Sequence, residues 1–301
     1  MPAPPSVSPC RGPPLPGAGV PDRACVVQFP HPGDEHGPDP GTDRMRWPAA
    51  TRPHRRTFML TRGAWRDGPA SPVRHGALTL WGEWEADSSV RPAPSSVPGG
   101  PEWIHRPLFL GAAAAPADGV PQNTDPFVFG ERFLYTFCRQ RRDARLRRLA
   151  RGSLILFGSR RDGSFVLDTA FVVAGSVDHT RDDNLRTAGS RTSEVFRATT
   201  LGPMYAWDHV EAGRLYLGAT ARDPVEGMFS FAPCLPAPPV GGFARPRIAL
   251  PGLVAPRVDD RARVAALGSA GAVSGVWRRV VRQVGEAGLA LAVALDLPTA
   301  G

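Results

Sequence analysis

LRRLARGSLILFGSRRDGSFVLDTAFVVAG, residues 146–175, contains the two clearest strand signals of the chain. SLILFGS and SFVLDTAFVVAG are apolar runs of strand length, rich in β-branched and aromatic residues, and the RRDG between them carries the glycine of a tight turn. The two runs are expected to pair as a hairpin. The preceding run, RRDARLRRLARG, predicts a helix. Leu146, Leu149 and Ala150 form its thin apolar stripe, and Gly152 suits the position just past its end.

Around this hairpin, CVVQFP, TFMLTR (57–62), GALTLWGEWE (76–85), SEVFRATT, RLYLGAT, MFSFAP and LALAVALDL are further strand-length segments, and PFVFG with RFLYTFC is a further pair. AVSGVWRRVVRQVG predicts an amphipathic helix with Val273, Trp277, Val280 and Val284 on one face. With 34 prolines and 33 glycines the chain is expected to be rich in turns and poor in long helices. Residues 1–24 have the composition of a disordered leader, one that could precede the true start of translation. Residues 25–301 are expected to form one elaborated domain. Residues 235–257 are its proline-rich connector and residues 268–297 its C-terminal helix and strand. The prediction is an α+β fold, mainly β, with two or three helices and long Pro/Gly-rich loops.

The order of helix, glycine, hydrophobic strand and second strand in 146–175 resembles the core of PUA-like domains, the superfamily of the EVE, ASCH and YTH modules. Gly152, Leu154, Ile155, Leu156 and Phe157 match its strand phrase, and Ser153 stands where that phrase has aspartate. The resemblance implies a small barrel core with an aromatic-lined pocket for a flipped or modified base. WGEWE, QNTDPF and GSLILFGS also look like segments of bacterial nucleotide-modification-associated proteins.

Every basic residue is arginine, and the chain carries a formal charge of +8. Residues 139–162 hold nine arginines against Asp143 and Asp162. Such a patch attracts polyanions, and each guanidinium is a planar fork suited to phosphate. Arg141, Arg145 and Arg148 are the candidate phosphate contacts. The absence of lysine excludes Schiff-base and P-loop lysine chemistry. Neither a G-x-G-x-x-G nor a G-x-S-x-G motif occurs. Four scattered cysteines show no metal spacing, no apolar run reaches membrane-spanning length, and no secretion signal is evident, so a cytoplasmic protein without a membrane partner is expected.

Four segments carry candidate chemistry. In HPGDEH, His31, Asp34, Glu35 and His36 offer two imidazoles and two carboxylates to a divalent cation. That segment resembles the HPDDE signature of zinc-dependent N-acetylglucosamine deacetylases, with Gly33 in place of an aspartate and no later HxxH. In WGEWE, strand alternation puts Trp81, Glu83 and Glu85 on one face and Trp84 on the other. Trp81 would then stack on a base while Glu83 accepts from its exocyclic amine. Otherwise the glutamates would pair with Arg55, Arg56 or the 139–151 arginines. In QNTDPF, Gln122, Asn123 and Asp125 could read a base edge beside Phe127. Asp168, inside an apolar strand, requires a partner if it faces inward. The resulting expectation is a module that binds or senses a nucleobase, nucleotide or modified nucleic acid, with no cofactor required. The alternative is an enzyme that modifies a nucleotide or nucleic acid, with Glu83, Glu85 or Asp168 as acid and base and a cation at residues 31–36.

Overall fold

The computed structural model describes residues 23–94, 97–236, 242–255 and 261–300, and within them the fold is α+β and mainly β. In chain order the strands are β1 (Cys25–His31), β2 (Arg44–Met45), β3 (Thr57–Arg66), β4 (Arg74–Gly82), β5 (Ser88–Pro92), β6 (Trp103–Pro107), β7 (Leu134–Tyr135), β8 (Leu154–Arg161), β9 (Ser164–Thr180), β10 (Ala212–Gly218), β11 (Ala232–Pro236), β12 (Arg263–Ala266) and β13 (Ala290–Leu295). The α-helices are α1 (Asn184–Thr187), α2 (Glu194–Phe196), α3 (Gly202–Tyr205) and α4 (Ala270–Glu286).

The predicted hairpin forms: β8 and β9 pair antiparallel, and β1 runs parallel to β8 on its other side. One sheet has the order β12-β1-β8-β9-β10-β7, and the other β13-β11-β4-β3-β6-β5-β2. Because β13 pairs with β3 as well as with β11, strands β3, β4, β11 and β13 close a four-stranded barrel. The small barrel therefore exists, but it is built from other strands than the 146–175 hairpin, which lies in the first sheet.

That first sheet is buried on both faces, which is why its strands read as continuous apolar runs. Val27, Phe29, Ile155, Phe157, Phe171 and Val173 enter one hydrophobic core, while their alternating neighbours Val26, Leu154, Leu156, Ala170 and Val172 enter a second. A bulge between Phe157 and Gly158 brings the strand against the carbonyl of Val166, so close that a Cβ on Gly158 would also meet the Phe165 ring at 2.6 Å. The predicted helix α4 packs Val273, Trp277, Val280 and Val284 into the second core, and Trp277 donates from Nε1 to the carbonyl of Phe229 at 3.0 Å.

Three local expectations are corrected. RRDARLRRLARG is not an α-helix: it holds a single 3₁₀ turn, Ala144–Arg147, whose start is capped by the Asp143 side chain accepting from Arg145 N. Its two buried leucines, Leu146 and Leu149, are three residues apart, the spacing of a 3₁₀ repeat. SEVFRATT is helical rather than extended. Ser193 caps α2 by accepting from Phe196 N at 3.2 Å, and a π-helical stretch, Arg197–Leu201, leads on into α3. Lastly, the connector is part of the core. Phe243, Arg245, Ile248 and Leu250 are all buried, although residues 237–241 and 256–257 of that segment lie outside the described residues. Residues 1–22 of the leader lie outside them as well.

Neither tryptophan of WGEWE walls a pocket. Trp81 packs in the second core against Phe58, with ring centroids 5.3 Å apart, and donates from Nε1 to the carbonyl of Phe243 at 2.8 Å. Trp84 packs in the first core, edge-on to Phe129 at 5.1 Å, and donates to the carbonyl of Asp87. β4 ends at Gly82, so strand alternation no longer governs the residues that follow. Truncating Trp81 or Trp84 to alanine is expected to destabilise the protein by about 3–5 kcal/mol in each case. Urea unfolding of both variants checks this; a Trp81 variant as stable as the parent would contradict the packing.

Candidate functional site

Between the two cores lies a buried polar cluster centred on Glu83 and Glu85, both almost fully enclosed. Five stretches of chain reach it. From the end of β1, His31 places Nδ1 3.1 Å from Glu83 Oε2. From the following loop, His36 Nε2 lies 3.0 Å from Glu85 Oε2. From the segment entering β3, Arg56 donates from Nη2 to Glu83 Oε2 at 2.7 Å, and His54 Nδ1 approaches Glu85 Oε1 at 2.7 Å and Glu83 Oε1 at 3.6 Å. The QNTDP loop supplies Asp125 N, which donates to Glu83 Oε1 at 3.1 Å, and Thr124 Oγ, which accepts from Glu85 N at 3.0 Å. From β6, His105 meets the carbonyl of His36 at 3.1 Å.

The QNTDP loop itself is clamped from both sides. Thr200 Oγ donates to the Thr124 carbonyl at 2.6 Å, which ties the loop to the π-helical stretch. The Asp125 carboxylate accepts from the backbone N–H groups of Thr136, Phe137 and Cys138 at 2.6–3.0 Å. This clamp fixes Cys138 beside the cluster. His54, with 26% of its side chain exposed, and the half-buried Cys138 are where the cluster reaches toward solvent.

Electrostatics in this enclosure are dominated by mutual compensation. Burial works to raise the Glu85 carboxyl, yet His54 and His36 hold it down at about 2. Burial acts on Glu83 in the same way, and Arg56, His54 and His31 together hold it well below the usual carboxylate range. The His54 imidazole loses solvation, but Glu83 and Glu85 keep it protonated well above its ordinary range. His31 goes the other way, down to about 4, because burial and Arg56 outweigh Glu83. Burial pushes the Cys138 thiol up to about 11 against the pull of His54.

The sequence candidates separate on this map. Glu83 and Glu85 form the centre, with His31, His36 and Asp125 around them. Asp168 lies one layer below: it is 3.6 Å from Arg245, an arginine of the connector, and among the described residues neither of its oxygens accepts a hydrogen bond. Arg245 also lies over the Trp81 ring at 4.8 Å. The four candidate cation ligands do not converge. Glu35 accepts from the N–H groups of Glu102 and Trp103, and Asp34 borders a separate surface pocket with Arg160 and Arg161. Gln122 is spent on the backbone, donating to the Arg52 carbonyl at 2.9 Å, whereas the buried amide nitrogen of Asn123 has no partner among the described residues. Phe127 is a core residue, edge-on to Phe129 and Phe196. Of the phosphate candidates, Arg145 is held by Asp143 through two bonds of 2.7 and 2.9 Å. Arg141 is exposed and lines, with Arg147, a pocket of ≈ 250 Å³. Among the described residues no carboxylate pairs with Arg141, Arg147 or Arg148 at 4.0 Å or less.

Sequence reasoning missed His54 and Cys138. His54 stands in TRPHRR, where its flanking arginines drew the attention to charge. Cys138 has no neighbouring cysteine or histidine to mark it. No protein-family model, curated protein or solved structure matches the chain. Among the described residues no helix is long and apolar enough to cross a membrane.

Two outcomes follow from this electrostatic map. Replacing Glu83 by glutamine is expected to cost about 3–5 kcal/mol, because Arg56 is left buried without its counter-charge; chemical denaturation measures it. His31, His105 and His179 each have their pKa lowered to about 4, chiefly by burial, from an ordinary 6.5. They fold as neutral imidazoles, so their stabilisation is complete above pH 6.5 and is lost as pH falls from 6.5 to 4. Asp125, pushed up to about 7 by burial against its three N–H donors, opposes this with a single proton. The melting temperature should therefore drop between pH 6.5 and 4, and a flat profile over that range would contradict neutral burial.

Proposed function

We propose that the protein modifies a nucleotide or nucleic acid, with His54, Glu83, Glu85 and Cys138 as its reactive centre and the following arginines as its phosphate contacts. The observation that carries this reading is the position of Cys138. It stands at the mouth of the polar cluster and immediately before the arginine-rich segment 139–151. Its neighbour Phe137 lines the pocket of ≈ 250 Å³ together with Met204, Val210, Arg141 and Arg147. An apolar wall with two guanidinium groups suits a flat ring that carries phosphate. Passive sensing of a base between Trp81 and Glu83 is the weaker reading, since both side chains are committed to the interior. A cluster of strongly shifted ionisable groups at an opening is also a common mark of catalysis.

Binding of fluorescein-labelled single-stranded DNA and RNA, followed by anisotropy over a range of salt, tests the phosphate contacts. The Arg141→Glu, Arg147→Glu double variant should bind more weakly. Its salt dependence should be shallower by about 0.7 in log–log slope for each phosphate that is no longer neutralised. Mass spectrometry of nucleotides and oligonucleotides incubated with the protein tests the chemistry, and the mass change should vanish in Glu85→Gln. A parent protein that shows no salt-sensitive binding and leaves every substrate at its original mass would overturn the proposal.

A further inference from the structure

We infer that an imidazole nitrogen of His54, a carboxylate oxygen of Glu83 and Sγ of Cys138 form a site for a divalent transition metal of the zinc class. This deepens the proposed function, because it names the group that would make the cluster mouth reactive. The three donor atoms lie within 4.8 Å of one another, and His54 Nδ1 is 3.6 Å from Glu83 Oε1. Tetrahedral zinc, with bonds of roughly 2.0–2.3 Å, places its donors about 3.3–3.8 Å apart. These separations are close to tetrahedral spacing, and the Cys138 side chain is half-buried rather than packed in the core. One nitrogen, one oxygen and one sulfur donor select a borderline metal over magnesium or calcium, which prefer oxygen alone. Three protein donors leave a fourth position for water or substrate oxygen, the arrangement of catalytic rather than structural zinc.

A further observation points to a bound cation. His31 Nδ1 is buried beside Glu83 Oε2, at 3.1 Å, without the geometry of a hydrogen bond. Its ring lies parallel to that of His54, 6.4 Å away, so the carboxylate is flanked by two imidazoles yet fully satisfied by neither. A dication is also compatible with the charge of the cluster: once His54 and Cys138 give up their protons on binding it, Glu83, Glu85 and the Cys138 thiolate face Arg56 and the metal, three charges against three. Glu85 Oε1, 2.7 Å from His54 Nδ1, is the carboxylate left over to accept a proton at the open position.

Elemental analysis and cobalt substitution of the full chain test the site. Protein purified from zinc-supplemented cells should hold about one equivalent of zinc after dialysis. Exchanged with Co²⁺, it should show the visible bands of a tetrahedral ion and a near-ultraviolet sulfur-to-cobalt charge-transfer band. The Cys138→Ser variant should lose the charge-transfer band, whereas Cys25→Ser and Cys234→Ser should keep it. Cys138→Ser and His54→Ala should each weaken cobalt binding at least about tenfold, since even an outer-sphere partner is worth about 10–100-fold. Circular dichroism establishes that each variant is folded, and the half-exposed Cys138 carries the test if His54→Ala is not. Zinc and cobalt both far below stoichiometric, or a charge-transfer band that survives in Cys138→Ser, would overturn the proposal. These readings need no nucleotide, so their failure leaves the phosphate contacts untouched, and a failure of nucleic-acid binding leaves the metal site standing.

Discussion

Two carboxylates buried between two hydrophobic cores impose the main constraint on this molecule. An ionised glutamate taken out of water without compensation costs several kcal/mol, and Glu83 and Glu85 are two residues apart. Compensation comes from far along the chain in both directions: His31 and His36 from before β3, His54 and Arg56 from its start, and Asp125 N from beyond β6, where Thr124 Oγ also holds the Glu85 N–H. Each of these contacts fixes a loop that regular secondary structure leaves undetermined. The segments 31–36, 54–56 and 122–125 are mostly polar, and the cluster supplies the order that sheet ladders do not. An apolar filling of the same space would serve stability as well or better.

The fold was legible wherever a period could be counted. The apolar runs at 154–158 and 165–173 announced strands, and the alternation of Ile155 and Phe157 against Leu154 and Leu156 divides them between the two cores. The stripe of Val273, Trp277, Val280 and Val284 announced α4. Legibility ended where tertiary contacts overrode local pattern. SEVFRATT carries three β-branched residues, Val195, Thr199 and Thr200, but Ser193 caps a helix there, and Thr199 Oγ donates back to the Val195 carbonyl. The leucines of RRDARLRRLARG are too few to hold a helix against its arginines; a 3₁₀ turn buries Leu146, and Leu149 is buried just beyond it.

The candidate site was legible by half. Glu83, Glu85 and Asp125 stood out as polar residues beside aromatic ones, and His31 and His36 as imidazoles of a candidate cation segment; the structure brings these five together. Their roles were not legible, because alternation was carried past Gly82, where β4 stops. Trp81 and Trp84 consequently enter different cores, and the glutamates between and after them turn together into the gap. His54 and Cys138 left no local signal at all: they are 84 positions apart in sequence. The pairing of the segment after β7 with the Asp125 carboxylate, and the Tyr135 hydroxyl donating to the Cys138 carbonyl, hold the cysteine near the histidine.

That pairing also accounts for the position of the arginine-rich segment. Asp125 gathers three consecutive N–H groups, of Thr136, Phe137 and Cys138, and so fixes the backbone at the point where the arginines begin. Thr136 is held in addition by His179 at 2.8 Å, which in turn meets the Tyr205 hydroxyl at 2.6 Å. The segment therefore leaves a fixed anchor: Asp125, through its carboxylate and its own N–H, ties the backbone just before the arginines to Glu83 of the polar cluster.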